Sequence, residues 1–352
     1  MSSRTSSPPL SPSSPSSIYS DEEKITRTMG DVIKDYDTEE LIEYLDRQNL
    51  KLKDHHYAIL RKQEITGLSF LELTKEDFIN FGFKGGPAII LAKFVENLNE
   101  TRLRSFSSYK TVEELKEVFR KYKVNGNNIT NIKQFNPIFE KIDDYDEALK
   151  QCVAEITLRI AQIKSMIDAN EATRCTFIES ILHASIAIAR RDTNKEIDIE
   201  YQLEISGEEA TGRVDYAISG MEDLLCITEG KPRNIKIGYL QNIKQLESSF
   251  HENKKRTADQ AFNNNGYDFL YGIVSTGADW HFIMIASDGL YCTSKTDYQI
   301  DLSKNVLKEG QESLRDSIKQ IIGIIVGLLK DRIMACDEPE SKKRRVHEKI
   351  RK

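Results

Sequence analysis

Apolar residues recur at helical spacing as far as Arg190, at a spacing of two from Glu196, and at helical spacing again near the C-terminal end. Such a chain is neither all-helical nor all-β, because a helix returns to its face about every 3.6 residues and a strand every second residue. The period-two stretches are Glu196–Ser206 (EIDIEYQLEIS), Gly212–Ile218 (GRVDYAI) and Asp223–Lys231 (DLLCITEGK). The last carries the apolar run Leu224–Ile227 of a central strand. Helices are expected over Asp144–Met166 and Asn170–Arg190 before these strands, over Ile235–Phe250 after them, and over Glu312–Met334 at the end. Further strands are expected over Phe269–Ser275, Trp280–Ala286 and Leu290–Ser294. This order predicts a mixed sheet flanked by helices over residues 143–335.

Residues 37–100 are patterned differently. Thr38-Glu39-Glu40 supplies an N-cap and an acidic first turn before Leu41, Ile42 and Leu45. Thr74 with Asp77 approximates a capping box, and Pro87 suits the first turn of a helix carrying Ile90, Leu91, Val95 and Leu98. About five short helices make a compact all-α module. The series Leu45, Leu50, Gly67, Leu71, Leu73-Thr74, Glu76-Asp77, Phe78, Gly82-Phe83, Gly86-Pro87, Ile90-Leu91 and Leu98 resembles the sterile alpha motif (SAM) domain, with Tyr36 near the usual tryptophan. The resemblance implies a protein–protein interaction module whose partner is another SAM-domain protein or a second copy of itself. A role in RNA binding is disfavoured, because the segment lacks basic–aromatic alternation. His55-His56 is no metal pair, since neighbours on a helix point about 100° apart.

The termini are polar in opposite ways. Residues 1–20 hold ten Ser and four Pro, so residues 1–30 are expected to stay unfolded. Residues 336–352 are expected to be a solvated basic tail, and Lys342-Lys343-Arg344-Arg345 resembles a cluster read by nuclear import receptors. Residues 101–142 are expected to be a linker with a short helix over Val112–Tyr122. The longest apolar run, Ile321–Leu329, is far short of the roughly 20 residues that span a bilayer, and no secretory signal is expected. Five scattered cysteines exclude a CxxC zinc site and argue against a disulfide framework.

Chemistry is expected at the second and third strands. Asp215 lies inside the second, and its neighbours Val214 and Tyr216 are expected to face the other way. Glu229 and Lys231, two apart at the end of the third, share a face. Pairing the two strands as a hairpin sets Asp215 beside Glu229. Two neighbouring carboxylates repel unless a cation lies between them, and oxygen-only ligation suits Mg²⁺ or Mn²⁺. A lysine on the same edge could deprotonate a metal-bound water or stabilise charge developing on a phosphate.

Asp215 followed by Glu229-Gly230-Lys231 resembles the PD-(D/E)XK nuclease superfamily. Glu171, at a helix start, matches that superfamily's helical acid, with Glu179 as the alternative. Gln241 and Gln245, one turn apart, match its substrate- or metal-contacting glutamines. The segment Tyr271–Phe282 is similar to the hairpin of the restriction-enzyme-like branch, and the whole order is similar to fungal Crinkler-type effectors. The resemblance implies a multidomain α plus α/β protein, with a SAM-like bundle ahead of a restriction-endonuclease-like sheet. It also implies catalytic Asp215, Glu229 and Lys231, metal ligands Glu171, Asp215 and Glu229, and a DNA substrate met in the nucleus, with no nucleotide cofactor. The other expectation is a non-catalytic nuclear interaction protein that keeps the nuclease fold as a scaffold. The net charge of -6 is an average over a basic tail and an acidic core, so it does not exclude nucleic acid.

Overall fold

The computed structural model describes residues 27–220, 223–230, 234–260, 268–293, 295–296, 298–309, 311–338 and 341–350. Among them, six helices form the N-terminal bundle: α1 Met29–Ile33, α2 Thr38–Arg47, α3 Asp54–Lys62, α4 Gly67–Phe70, α5 Lys75–Asn80 and α6 Gly85–Glu100. Reciprocal capping boxes start four of them, at Thr28–Asp31, Asp37–Glu40, Thr66–Ser69 and Thr74–Asp77. Each satisfies amides that a first turn leaves free. The cap of α2 is Asp37, not the expected Thr38. Leu41, Leu45, Leu60, Phe70, Phe78 and Leu91 form the bundle's buried centre.

The bundle begins earlier than expected. Met29 N donates to Thr101 O and Leu103 N to Arg27 O, so residues 27–36 clasp the end of α6. Residues 1–26 of the expected Ser/Pro-rich tail lie outside the described residues.

The chain continues through β1 Arg104–Ser105, α7 Val112–Lys121, β2 Lys133–Gln134, α8 Glu147–Gln162 and α9 Glu171–Thr193. Then come β3 Asp198–Ser206, β4 Ala210–Gly220, β5 Asp223–Gly230 and α10 Ile235–Gln260. The end comprises β6 Phe269–Ser275, β7 Asp279–Ala286, β8 Gly289–Cys292, β9 Tyr298–Gln299, α11 Val306–Glu309, α12 Gln311–Asp337 and α13 Lys342–Ile350. The strands join in one mixed sheet, in the order β1-β4-β5-β6-β7-β8-β2, with β3 on β4 and β9 on β7. The β3–β4–β5 and β6–β7–β8 runs are antiparallel, and the crossover through α10 makes β5 and β6 parallel.

Helices cover both faces of the sheet. One core packs residues of α8, α9 and α12 on the first face, including Ile156, Phe177, Ile181 and Ile322. The other packs residues of α7 and α10, including Phe119, Leu240, Ile243 and Leu246. The expected helices and strands of residues 143–335 are therefore present, most of them with boundaries shifted by a few residues. Trp280 is a core residue, its indole Nε1 donating to Gly277 O.

Two expectations about connecting segments need correction. Residues 101–142 are not a free linker, because β1 pairs with β4, β2 pairs with β8, and α7 packs on α10. The basic C-terminal run is not a solvated tail either. Lys342 is buried against Asp268 Oδ1 at 2.8 Å, and Lys349 against Asp331 Oδ2 at 2.7 Å. Arg345 pairs with Asp331 and Glu338, and of the four-residue cluster only Lys343 and Arg344 are exposed. Asp268 is more than seventy residues away in sequence, and Asp331 lies on the preceding helix, so neither pairing follows from the local charge pattern.

Candidate active site

β4 and β5 run antiparallel with Tyr216 opposite Thr228, a register that brings Asp215 across from Glu229. The Gly230 amide donates to Asp215 Oδ2 over 2.8 Å. Glu229 is buried in a central strand, opposite Val274 of β6. A buried carboxylate needs charge-assisted partners. One is Gln245 of α10, whose Nε2 donates to Glu229 Oε2 at 2.5 Å.

Gln241, one turn before Gln245, donates from Nε2 to Tyr109 O at 3.1 Å. Its Oε1 is buried and has no hydrogen-bond partner. Glu171 stands in the first turn of α9, where Asn170 caps the helix by accepting from Thr173 N. Glu171, Asp215, Glu229, Gln241 and Gln245 all line one cavity of about 260 Å³. Glu179 does not line it and instead accepts a hydrogen bond from the Tyr216 hydroxyl. Burial raises the Tyr216 pKa, and Cys175 and Glu179 raise it further, so this hydroxyl stays protonated and donates. Lys231 lies outside the described residues.

Sequence reasoning missed part of the cavity wall. Ser105, Phe106 and Ser107, from the presumed linker, form one side, held by β1 and by the Gln241–Tyr109 bond. Gly212, at φ +142°, lets Phe106 approach: a Cβ there would lie 3.2 Å from its ring. Gln202 and Arg213 complete the wall. Gln202 Nε2 donates to Asp215 Oδ1 at 3.2 Å.

Val214 and Tyr216 do not share a face as the period-two reading predicts. Val214 packs in the core beneath α10, and Tyr216 packs in the core beneath α9. The alternation breaks at Asp215, which sits where the strand changes faces.

Among the described residues, no group of three or more His, Cys, Asp or Glu side chains is close enough to share one ion. The cavity lining nonetheless includes two carboxylates from adjacent strands, Glu171 and the unsatisfied Gln241 Oε1, alongside the Arg213 guanidinium. Such a set fits Mg²⁺ or Mn²⁺, since Mg²⁺ typically uses one or two carboxylates and keeps several waters.

Residues 12–97 match the family described as SAM-like domain. The N-terminal module is a SAM-like domain. It is 31% identical over 72 residues to the human sterile alpha motif domain-containing protein 9-like. That match covers 20% of this chain and 4% of the relative, so the likeness extends to a small part of that protein. The SAM-like domain packs against the sheet domain: the Tyr36 hydroxyl lies 2.9 Å from His251 Nε2, and Arg47 pairs with Glu208 at 2.6 Å. Among the described residues, no helix is long and apolar enough to cross a membrane.

Proposed function

We propose that this chain is a metal-dependent hydrolase of nucleic-acid phosphodiesters, with DNA as substrate, built on a restriction-endonuclease-like core of the PD-(D/E)XK type. The observation that carries the reading is the convergence of Asp215, Glu229, Glu171 and the unsatisfied Gln241 Oε1 on one cavity. Asp215 and Glu229 would hold Mg²⁺ or Mn²⁺ together with bound waters, while Glu171 lines the same cavity without being close enough to be a third direct ligand. A bound ion would supply Lewis-acid activation of a phosphoryl oxygen and lower the pKa of water. Gln245 fixes the Glu229 carboxylate, and Gln241 offers its free amide oxygen to substrate or ion. Lys231, next after Gly230, is the proposed group for proton handling or for charge developing on the phosphate. The SAM-like domain brings a protein partner or a second copy, which could add binding strength that the acidic core lacks.

The test is cleavage of plasmid DNA by the full chain with Mg²⁺ or Mn²⁺, alongside Asp215→Ala, Glu229→Ala and Lys231→Ala. Metal-dependent cutting that all three substitutions abolish supports the reading. Cutting that survives them places the chemistry elsewhere. A second reading, a non-catalytic nuclear interaction protein, is favoured by one observation: between Lys150 and Arg332 there are 22 Lys and Arg against 27 Asp and Glu. An inert wild type under every divalent ion would favour it. Nuclear targeting by the C-terminal run predicts that Lys343→Ala with Arg344→Ala moves a fluorescent fusion out of the nucleus.

A further inference from the structure

Gln202 occupies a backbone state that strands avoid. Its φ is +52°, in the left-handed region, in the middle of β3. The register on either side is unbroken: Tyr201 faces Tyr216, and Leu203 faces Val214. No residue has been inserted, so this is not an ordinary bulge. β3 nevertheless changes faces at this point. Ile199 packs against the core beneath α9, whereas Leu203 packs against the core beneath α10, although the two are four positions apart and a regular strand would put them on one face. β4 makes the same change at Asp215, between Val214 and Tyr216. The two strands swap faces together, and the two residues at the swap bond to each other through Gln202 Nε2 and Asp215 Oδ1.

A left-handed glutamine is strained where glycine would be relaxed. Strain of this kind persists where the surroundings enforce it, and it concentrates at functional sites. Here the strained residue is one of the cavity's own lining groups.

We infer that Gln202 is a positioning residue: its strained backbone aims an amide at Asp215 Oδ1 and, with the Gly230 amide on Oδ2, fixes the orientation in which this carboxylate meets a divalent ion. The inference rests on the metal-site reading above. It assigns Gln202 a role through Asp215 and none on substrate. The two strand carboxylates of the site are then each oriented by a glutamine amide, Asp215 from β3 and Glu229 from α10.

The experiment compares the full-length wild type, Gln202→Gly and Gln202→Asn. Mn²⁺ affinity is read by electron paramagnetic resonance, and melting temperature is read without metal. Glycine relaxes the backbone and deletes the amide, so Gln202→Gly should melt no lower than wild type yet bind Mn²⁺ about tenfold more weakly. Asparagine tolerates the left-handed region and keeps a shorter amide, so its affinity should fall between the two. Equal Mn²⁺ affinity in wild type and Gln202→Gly overturns the positioning role and leaves the metal site standing. A wild type that binds no Mn²⁺ overturns the metal site and this role with it. Weaker binding in Gln202→Gly accompanied by an equal loss in Gln202→Asn and a lower melting temperature in both marks a merely structural residue and also overturns the inference.

Discussion

The side-chain amide of Gln245 donates to Glu229 Oε2 across 2.5 Å, joining α10 to β5 in the buried interior. A hydrogen bond to an ionised group contributes about 1.5–3 kcal/mol, more than a neutral one. Gln245→Leu should therefore lower stability by about 2 kcal/mol in urea unfolding. Gln245→Glu should cost more, because two carboxylates would then share a dry site. A leucine variant as stable as wild type would show that Glu229 does not depend on this amide.

Much of this site was legible from local pattern. Two period-two segments in succession predict a hairpin, and a hairpin brings Asp215 to the end of β5. Gln241 and Gln245 are one helical turn apart, so a shared face followed from spacing alone. The rest had no local signal. A left-handed φ at Gln202 leaves no trace in composition, because glutamine is not a residue that advertises turns. The expected alternation around Asp215 failed for the same reason. Ser105 and Phe106 reach the cavity through pairing between β1 and β4, a contact more than a hundred residues apart in sequence. The C-terminal run looked solvated because its partners, Asp268 and Asp331, precede it by many residues.

The SAM-like domain is tied to the sheet domain at Tyr36. Its hydroxyl lies 2.9 Å from His251 Nε2 and 3.4 Å from Glu208 Oε1. Burial, with Glu208 adding to it, raises the Tyr36 pKa, so the hydroxyl keeps its proton. Tyr36→Phe keeps the ring's packing and removes the polar bridge. The expected cost is about 1 kcal/mol, seen as earlier melting of the SAM-like domain in calorimetry. A melting profile unchanged by the substitution would show that the ring alone makes this contact.

Glu114 fixes the segment that forms the cavity's outer wall. It accepts from the amides of Lys110 and Thr111 and from the Thr111 hydroxyl, and it pairs with Arg104. Burial pushes its pKa up, but these donors outweigh that and hold it at about 2. The folded value lies below the unfolded one. The stabilisation is therefore complete above the ordinary glutamate value of 4.5 and is lost as pH falls towards about 2. Glu114→Gln should lower stability at pH 7 by about 1 kcal/mol, the usual worth of a capping interaction. The gap between variant and wild type should close on acidification through that window. A gap that stays constant with pH would remove the ionised Glu114 from the account.

Arg332 is fully buried at the end of α12 and bonds to Asp223 Oδ2 at 3.1 Å and Asp268 Oδ2 at 3.3 Å. Asp223 starts β5, the strand that carries Glu229, and Asp268 immediately precedes β6, its parallel neighbour; Asp268 also holds Lys342 of α13. Burial alone would lower the Arg332 pKa, but Asp268, Cys336 and Asp223 more than compensate, so its charge is kept. Removing one member of a buried ionic cluster leaves the others uncompensated, at about 3–5 kcal/mol. Arg332→Ala should shift the urea midpoint accordingly and release α13 to proteolysis. The triple variant Arg332→Met, Asp223→Asn, Asp268→Asn removes the charges together, and it should recover part of that loss. If the single and triple variants were equally destabilised, packing around Arg332, and not charge, would be what anchors the C-terminal helix.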